Sequence, residues 1–150
     1  MTDDEIICKA LTILSKRIRQ VELLDSSQTV RDYCKLNIAT REHEVFGCLF
    51  LNNTHHLIAF EELFFGTIDG AAVYPREVVK RALFHNASAL IFCHNHPSGV
   101  TEPSRADMAI TEKLIKACST VSIRVLDHIV VTCGECTSMA ERGLMEVSYA

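Results

Sequence analysis

The sequence predicts a single mixed α/β domain with a helical N-terminal extension. Three observations point there. Val45-Phe46-Gly47-Cys48-Leu49-Phe50-Leu51 and the stretch from Ala87 to Cys93 are short, nearly continuous apolar runs, as strands covered on both faces are. Around them, apolar residues recur at helical intervals. The resulting order is two helices, two strands, a helix, a strand, a helix and two strands. It mixes both element types in a chain of 150 residues, the size of one domain with its own core.

Thr2 and Glu5 have capping-box spacing, and Ile6, Ile7, Ala10, Leu11, Leu14, Ile18 and Val21 then mark an amphipathic helix to about Leu24. Asp25-Ser26-Ser27-Gln28 reads as a break, followed by a shorter helix with Val30, Tyr33 and Cys34 on one face. Residues 1–27 are accordingly expected as a helical packing or oligomerisation extension and 28–150 as the α/β domain. After the first strand, Asn52-Asn53-Thr54 supplies turn residues and His56 to Phe60 returns as an antiparallel partner. Pro75 suits the first position of a helix whose Val78, Val79, Ala82 and Leu83 face inward, ending near Asn86. Ala87 to Cys93 places His94 at the carboxyl end of a buried strand, the edge where α/β sheets place their ligands. A loop through Pro97, Gly99 and Pro103 leads to a helix starting near Ser104, with Ile110, Leu114, Ala117 and Cys118 inward. Ile123 to Leu126 and Ile129 to Thr132 read as two closing strands, and Ser138 with Glu141 as the cap of a last short helix before Gly143.

Composition excludes several classes. Apolar residues make up 48%, which argues against disorder, and a net charge of −4 offers no electrostatic reason for nucleic-acid binding. Lys16-Arg17-Ile18-Arg19 is a local basic cluster of the kind that forms a solvated helix face. No apolar run approaches the ~20 residues of a membrane span, and the acidic start Met1-Thr2-Asp3-Asp4-Glu5 lacks the features of a signal peptide. Seven scattered cysteines suit free thiols, so a cytoplasmic location is expected. Cys133-Gly134-Glu135-Cys136, a lone CxxC, is a weak zinc signal and reads as structural or incidental.

The chemistry concentrates between residues 94 and 107. His94 and His96 are followed after ten residues by Asp107, with Ser104 three residues before it. On a strand end, residues i and i+2 project to one side, so both imidazoles can reach one point. Asp107 falls in the first turn of the next helix, where its carboxylate can fold back. Ser104-x-x-Asp107 alone has the form of a capping box, and capping and metal binding can share the segment. Two imidazoles and a carboxylate are ligands that Zn²⁺ accepts, with a fourth position left open for water. Pro97 and Pro103 restrict the connecting loop and Gly99 permits a sharp turn. A hydrolase built this way also needs a general base off the metal. Glu42 and Glu44, two residues apart before the first strand, are nearly tied; Glu44 abuts the buried run and is expected to be the more desolvated. Glu61 and Glu62 match by type only and read as surface residues. His43, His55, His56 and His85 lack partners at ligand spacing and are expected to be solvated, and Asp127-His128 reads as a structural hydrogen bond.

Glu44, His94-x-His96, Ser104 and Asp107 resemble the JAMM motif of the MPN (JAB) metalloprotease superfamily, E-xₙ-H-x-H-x₇-S-x₂-D. Together with Pro75-Arg76-Glu77, Asn86-Ala87 and Leu126-Asp127-His128, the HNHPSG…PS..D form is similar to the bacterial RadC family over roughly Gln28 to Gly143. The resemblance implies a cytidine-deaminase-like MPN (JAB) domain, with Zn²⁺ held by His94, His96 and Asp107. It also separates the two acids, making Glu44 the acid/base and Ser104 a hydrogen-bond donor to the developing oxyanion. The implied activity is hydrolysis of an amide bond in a peptide or protein substrate, including isopeptide bonds, by metal-activated water. An accessory role in DNA repair or mobile-element and prophage biology is the alternative; the DNA association it invokes has no support in the charge. A non-catalytic binding module is disfavoured because all five motif residues are present. A zinc deaminase is disfavoured because no H-x-E segment occurs and no proline precedes Cys133-x-x-Cys136. Asn95 stands where eukaryotic members have serine or threonine, and Tyr74 stands where the family often has histidine. Arg76 and Glu77 fit a salt-bridged first helical turn as well as a substrate contact. The length is that of a short form without the N-terminal helix-hairpin-helix region.

Overall fold

The strands assemble as the apolar runs require. In the computed structural model, which describes residues 1–20, 27–66 and 73–146, β1 (Val45–Leu51) is buried along its whole length. It lies between β2 (Leu57–Phe65) and β3 (Ala89–Asn95), antiparallel to both. β4 (Arg124–Val131) pairs parallel to β3, and β5 (Cys136–Ser138) closes the sheet antiparallel to β4, giving the order β2-β1-β3-β4-β5. A parallel pair needs a crossover, and the helix between β3 and β4 supplies it. The fold is thus one mixed α/β domain with a helix at its N-terminal end.

Alternation along the strands sends side chains to two separate cores. Val45, Leu49, Leu51, Ala89, Ile91 and Cys93 pack on one face with Val30, Tyr33, Cys34 and Ile38 of α2 (Ser27–Ile38) and with Ile18 of α1 (Asp3–Gln20). Phe46, Cys48, Phe50, Leu90 and Phe92 pack on the other, against Val78 and Ala82 of α3 (Pro75–Phe84) and Ile110, Leu114 and Cys118 of α4 (Arg105–Thr120). At Gly47 the Phe60 ring approaches β1 so closely that a Cβ would lie 2.9 Å from it, and the ring would have to shift to admit a larger residue.

Several expectations change. Thr2 does cap α1, accepting from the Glu5 N–H at 3.2 Å. Only Ile18, with Leu14 beside it, joins the core, while Ile6 and Ile7 are exposed; Val21, Leu24, Asp25 and Ser26 lie outside the described residues. The break does not extend through Gln28, since α2 already begins at Ser27. Leu83 points outward, 57% exposed, because the sheet-facing side of α3 is filled by Val78 and Ala82. β2 runs five residues past Phe60 and carries Glu61 and Glu62 into the sheet, where they pair with Arg81 and Arg41. The two expected closing strands are one strand. Leu126 is an extra residue between Val125 and Asp127 in the pairing with β3, and this bulge breaks the alternation. The last strand is β5. The final helix is only a turn: Ser138 Oγ accepts from Glu141 N–H at 3.2 Å, and the chain turns to Gly143 without continuing.

Candidate metal centre

His94, the last residue but one of β3, lies opposite Phe46 of β1 and is wholly enclosed. The backbone stays extended for one more residue, with His96 N–H donating to the Val131 carbonyl at 2.9 Å, so both imidazoles emerge on one side. The loop then turns sharply: Gly99 N–H bonds the His96 carbonyl at 3.0 Å, and Gly99 sits at φ 84°, where glycine is favoured. This return brings the Val100 carbonyl to 2.7 Å from His96 Nδ1. At the start of α4, Ser104 and Asp107 form a reciprocal capping box. Ser104 Oγ accepts from Asp107 N–H at 3.0 Å, and Asp107 Oδ2 accepts from Ser104 N–H at 2.7 Å.

These elements bring two imidazoles and a carboxylate together. His94 Nε2 and His96 Nε2 are 2.8 Å apart, His94 Nε2 is 3.2 Å from Asp107 Oδ1, and His96 Nε2 is 3.1 Å from Asp107 Oδ2. A tetrahedral ion with bonds of 2.0–2.1 Å sets its ligand atoms roughly 3.3 Å apart, so the spacing and the donor set fit zinc. His94, His96 and Asp107 are the one such group found among the described residues. Burial would push the Asp107 carboxyl up, but the imidazoles of His94 and His96 beside it and the Ser104 backbone N–H hold it well below the usual carboxylate range. His96 is raised by its bond to Asp107, against desolvation, with help from the Val100 carbonyl and the charges of Asp107 and Glu44.

Glu44 lies two residues before Phe46, the β1 partner of His94. Glu44 is half-buried just before β1 while Glu42 is exposed, as the sequence led us to expect. Its backbone is pinned from two sides. Gly66 N–H donates to the Glu44 carbonyl at 2.8 Å. On the other side Asn95, between the two histidines, reaches across β1. Its Oδ1 accepts from Val45 N–H at 2.6 Å, and its Nδ2 donates to the carbonyls of His43 at 3.1 Å and Arg41 at 3.3 Å. Asn95 is fully buried and uses its amide to hold the residues flanking Glu44.

Two further partners stand behind His94. His128 on β4 is enclosed and lies 2.7 Å from His94 Nδ1, and Thr111 on α4 lies 2.5 Å from His128 Nδ1. Burial pushes His128 well below its ordinary value. Asp127, beside it, has a structural role. It accepts from the Ser138 hydroxyl, Ala140 N–H and His128 N–H, tying the turn after β5 to β4, while burial pushes its carboxyl up. Spacing could not single out Asn95, Thr111 or His128, since their partners lie on other elements.

Other candidates fall elsewhere. Cys133 and Cys136 flank the β4–β5 turn, and all seven cysteines are free thiols. Glu61 is held below the ordinary carboxylate range by a two-pronged bond to Arg81, at 2.8 and 2.6 Å. His85 is not solvated: it packs 4.6 Å from the Phe50 ring and 3.2 Å from Glu61. His56 Nδ1 meets Thr54 Oγ1, and His43 is exposed beside Phe65. The ion pair in the first turns of α3 joins Glu77 to Lys80, with Arg76 exposed. No helix among the described residues is long and apolar enough to cross a membrane.

Comparison with known proteins shows which family the sequence matches. A family model described as a RadC-like JAB domain matches residues 24–144. A UPF0758 protein of Azotobacter vinelandii is 57% identical over 130 residues, covering 87% of this chain and 58% of the relative. One from Methylibium petroleiphilum is 58% identical over 132 residues, 88% of this chain and 60% of the relative. One from Cellvibrio japonicus is 61% identical over 122 residues, 81% and 54% respectively. The chain therefore spans somewhat over half the length of the curated relatives it matches.

Proposed function

The chain belongs to the RadC-like JAB domain family, and from that membership and the geometry of its polar cluster we propose that it is a zinc-dependent peptidase or isopeptidase. One observation carries the reading: Nε2 of His94, Nε2 of His96 and the carboxylate of Asp107 converge at a strand end. His94, His96 and Asp107 would hold the ion. Bound there, zinc supplies a Lewis acid for an amide carbonyl and activates a water.

The protein's own groups supply the rest of the chemistry. Glu44, pinned through its backbone by Gly66 and through its neighbours by Asn95, is the acid/base: it accepts the proton of the attacking water and returns it to the leaving amine. Ser104 Oγ spends a lone pair on Asp107 N–H and keeps its proton for an oxyanion. The capping bond thus orients the hydroxyl as well as starting the helix. The substrate is a peptide or protein.

A peptide and isopeptide library tests the proposal. Cleavage is expected from the zinc-loaded wild type and not from Glu44→Ala, which still binds zinc. Cleavage that survives Glu44→Ala removes that residue from its assigned role. Salt-dependent DNA binding that survives His96→Ala, without any cleavage, would favour an accessory role in DNA repair or mobile-element biology instead.

A further inference from the structure

We infer that Thr111 and His128 are positioning residues that set the His94 ring in the tautomer a metal requires. The inference rests on the metal reading above and extends it from the ligands to the protons behind them. His94 Nε2 faces His96 and Asp107. To bind a cation it must be bare, so the ring's single proton belongs on Nδ1. That N–H points at His128 Nε2, 2.7 Å away. His128 accepts there only if its own proton sits on Nδ1, where it meets Thr111 Oγ1 at 2.5 Å. Thr111 in turn donates its hydroxyl proton to the Asp107 carbonyl at 2.7 Å and so offers a lone pair to the His128 ring.

Every proton in this chain then runs one way, from His94 to His128 to Thr111 to the backbone of α4. The opposite order would have Thr111 donate to His128 and His128 to His94, which leaves the His94 proton on Nε2, in the way of an ion. Thr111 favours the productive order because its hydroxyl has the carbonyl one helical turn back as acceptor. That carbonyl belongs to Asp107, so one face of α4 carries both a ligand and the group that orders the other ligand's protons. His94 and His128 have no exposed surface and Thr111 is 1% exposed, so bulk water cannot substitute for a missing partner.

Zinc affinity, measured by competition with a chromophoric chelator, tests the assignment in the full chain. Thr111→Val keeps the side-chain shape and removes the lone pair; about tenfold weaker zinc binding is expected, the low end of what outer partners of metal ligands contribute. Thr111→Ser, which restores the hydroxyl, is expected to recover wild-type affinity. Nitrogen NMR of the imidazoles in the zinc-loaded wild type is expected to place the His128 proton on Nδ1. Thr111→Val binding zinc as tightly as wild type overturns the inference, and so does a His128 proton found on Nε2, however the variants fold. Wild-type protein that binds no zinc overturns the metal reading itself and this inference with it, so the two failures are told apart.

Discussion

The two faces of the sheet are built from the same three central strands and end in different chemistry. On the face covered by α1 and α2, apolar side chains of β1 and β3 pack with those of the two helices. On the face covered by α3 and α4, an equally apolar core gives way at the strand ends to His94, His128, Thr111 and Asp107, all buried and hydrogen-bonded to one another. The difference follows from topology. β3 and β4 are the parallel pair, and α4 between them brings its N-terminus to the same edge as their carboxyl ends. A helix start offers a capping box that aims a carboxylate, and a strand end offers two side chains at i and i+2. The first face shows what stability alone demands, and the second what is added when polar groups converge.

Substitutions can break or sharpen that contrast. The largest effect is expected at Glu44. Glu44→Gln should lower hydrolysis by about 10²–10⁴-fold while zinc content and thermal stability stay as in wild type, which parallel rate and metal assays would show. Next comes the apolar face. Leu49→Ala, at a fully buried position of the α2-side core, should cost about 2–5 kcal/mol in denaturant unfolding. At temperatures where the variant remains folded, its zinc stoichiometry should be unchanged. Loss of zinc there would mean that the two faces are not separable.

Asn95 links the faces and should show both behaviours. Asn95→Ala leaves the buried Val45 N–H without its acceptor, an expected loss of about 1–3 kcal/mol. It should also reduce the rate by more than it reduces zinc affinity, because it frees the segment carrying Glu44. Equal losses in rate and affinity would place its effect on the ligands instead. The smallest effect is expected from Ser104→Ala, about 1 kcal/mol of stability from the lost helix cap. The rate should fall as well if the hydroxyl serves the oxyanion; a stability loss with an unaltered rate would leave the residue a cap alone.

Local patterns made much of this legible. Continuous apolar runs revealed β1 and β3, and the i, i+2 relation of His94 and His96 with Asp107 one loop later foretold their convergence. The hydrophobic stripe of α1 showed an amphipathic helix without showing what covers it, and only its Ile18 end reaches the core. The bulge at Leu126 disguised one strand as two, since a single extra residue reverses which side chains face inward. Glu61 and Glu62 read as surface groups because their compensating partners, Arg81 and Arg41, lie about twenty residues away in the chain. Asn95 and His128 drew notice only through the family resemblance, and their long-range partners were out of view for the same reason. Their roles rest on contacts with Val45 and His94, which local periodicity cannot register.

In the proposed function, His94, His96 and Asp107 bind the metal while Glu44 acts beside it without binding it. Zinc stoichiometry after reconstitution and dialysis, compared among wild type, Glu44→Gln and Asp107→Ala, tests this most directly. One zinc per chain is expected in wild type and in Glu44→Gln, and none retained by Asp107→Ala. Wild type without zinc, or Asp107→Ala with a full equivalent, would contradict that assignment.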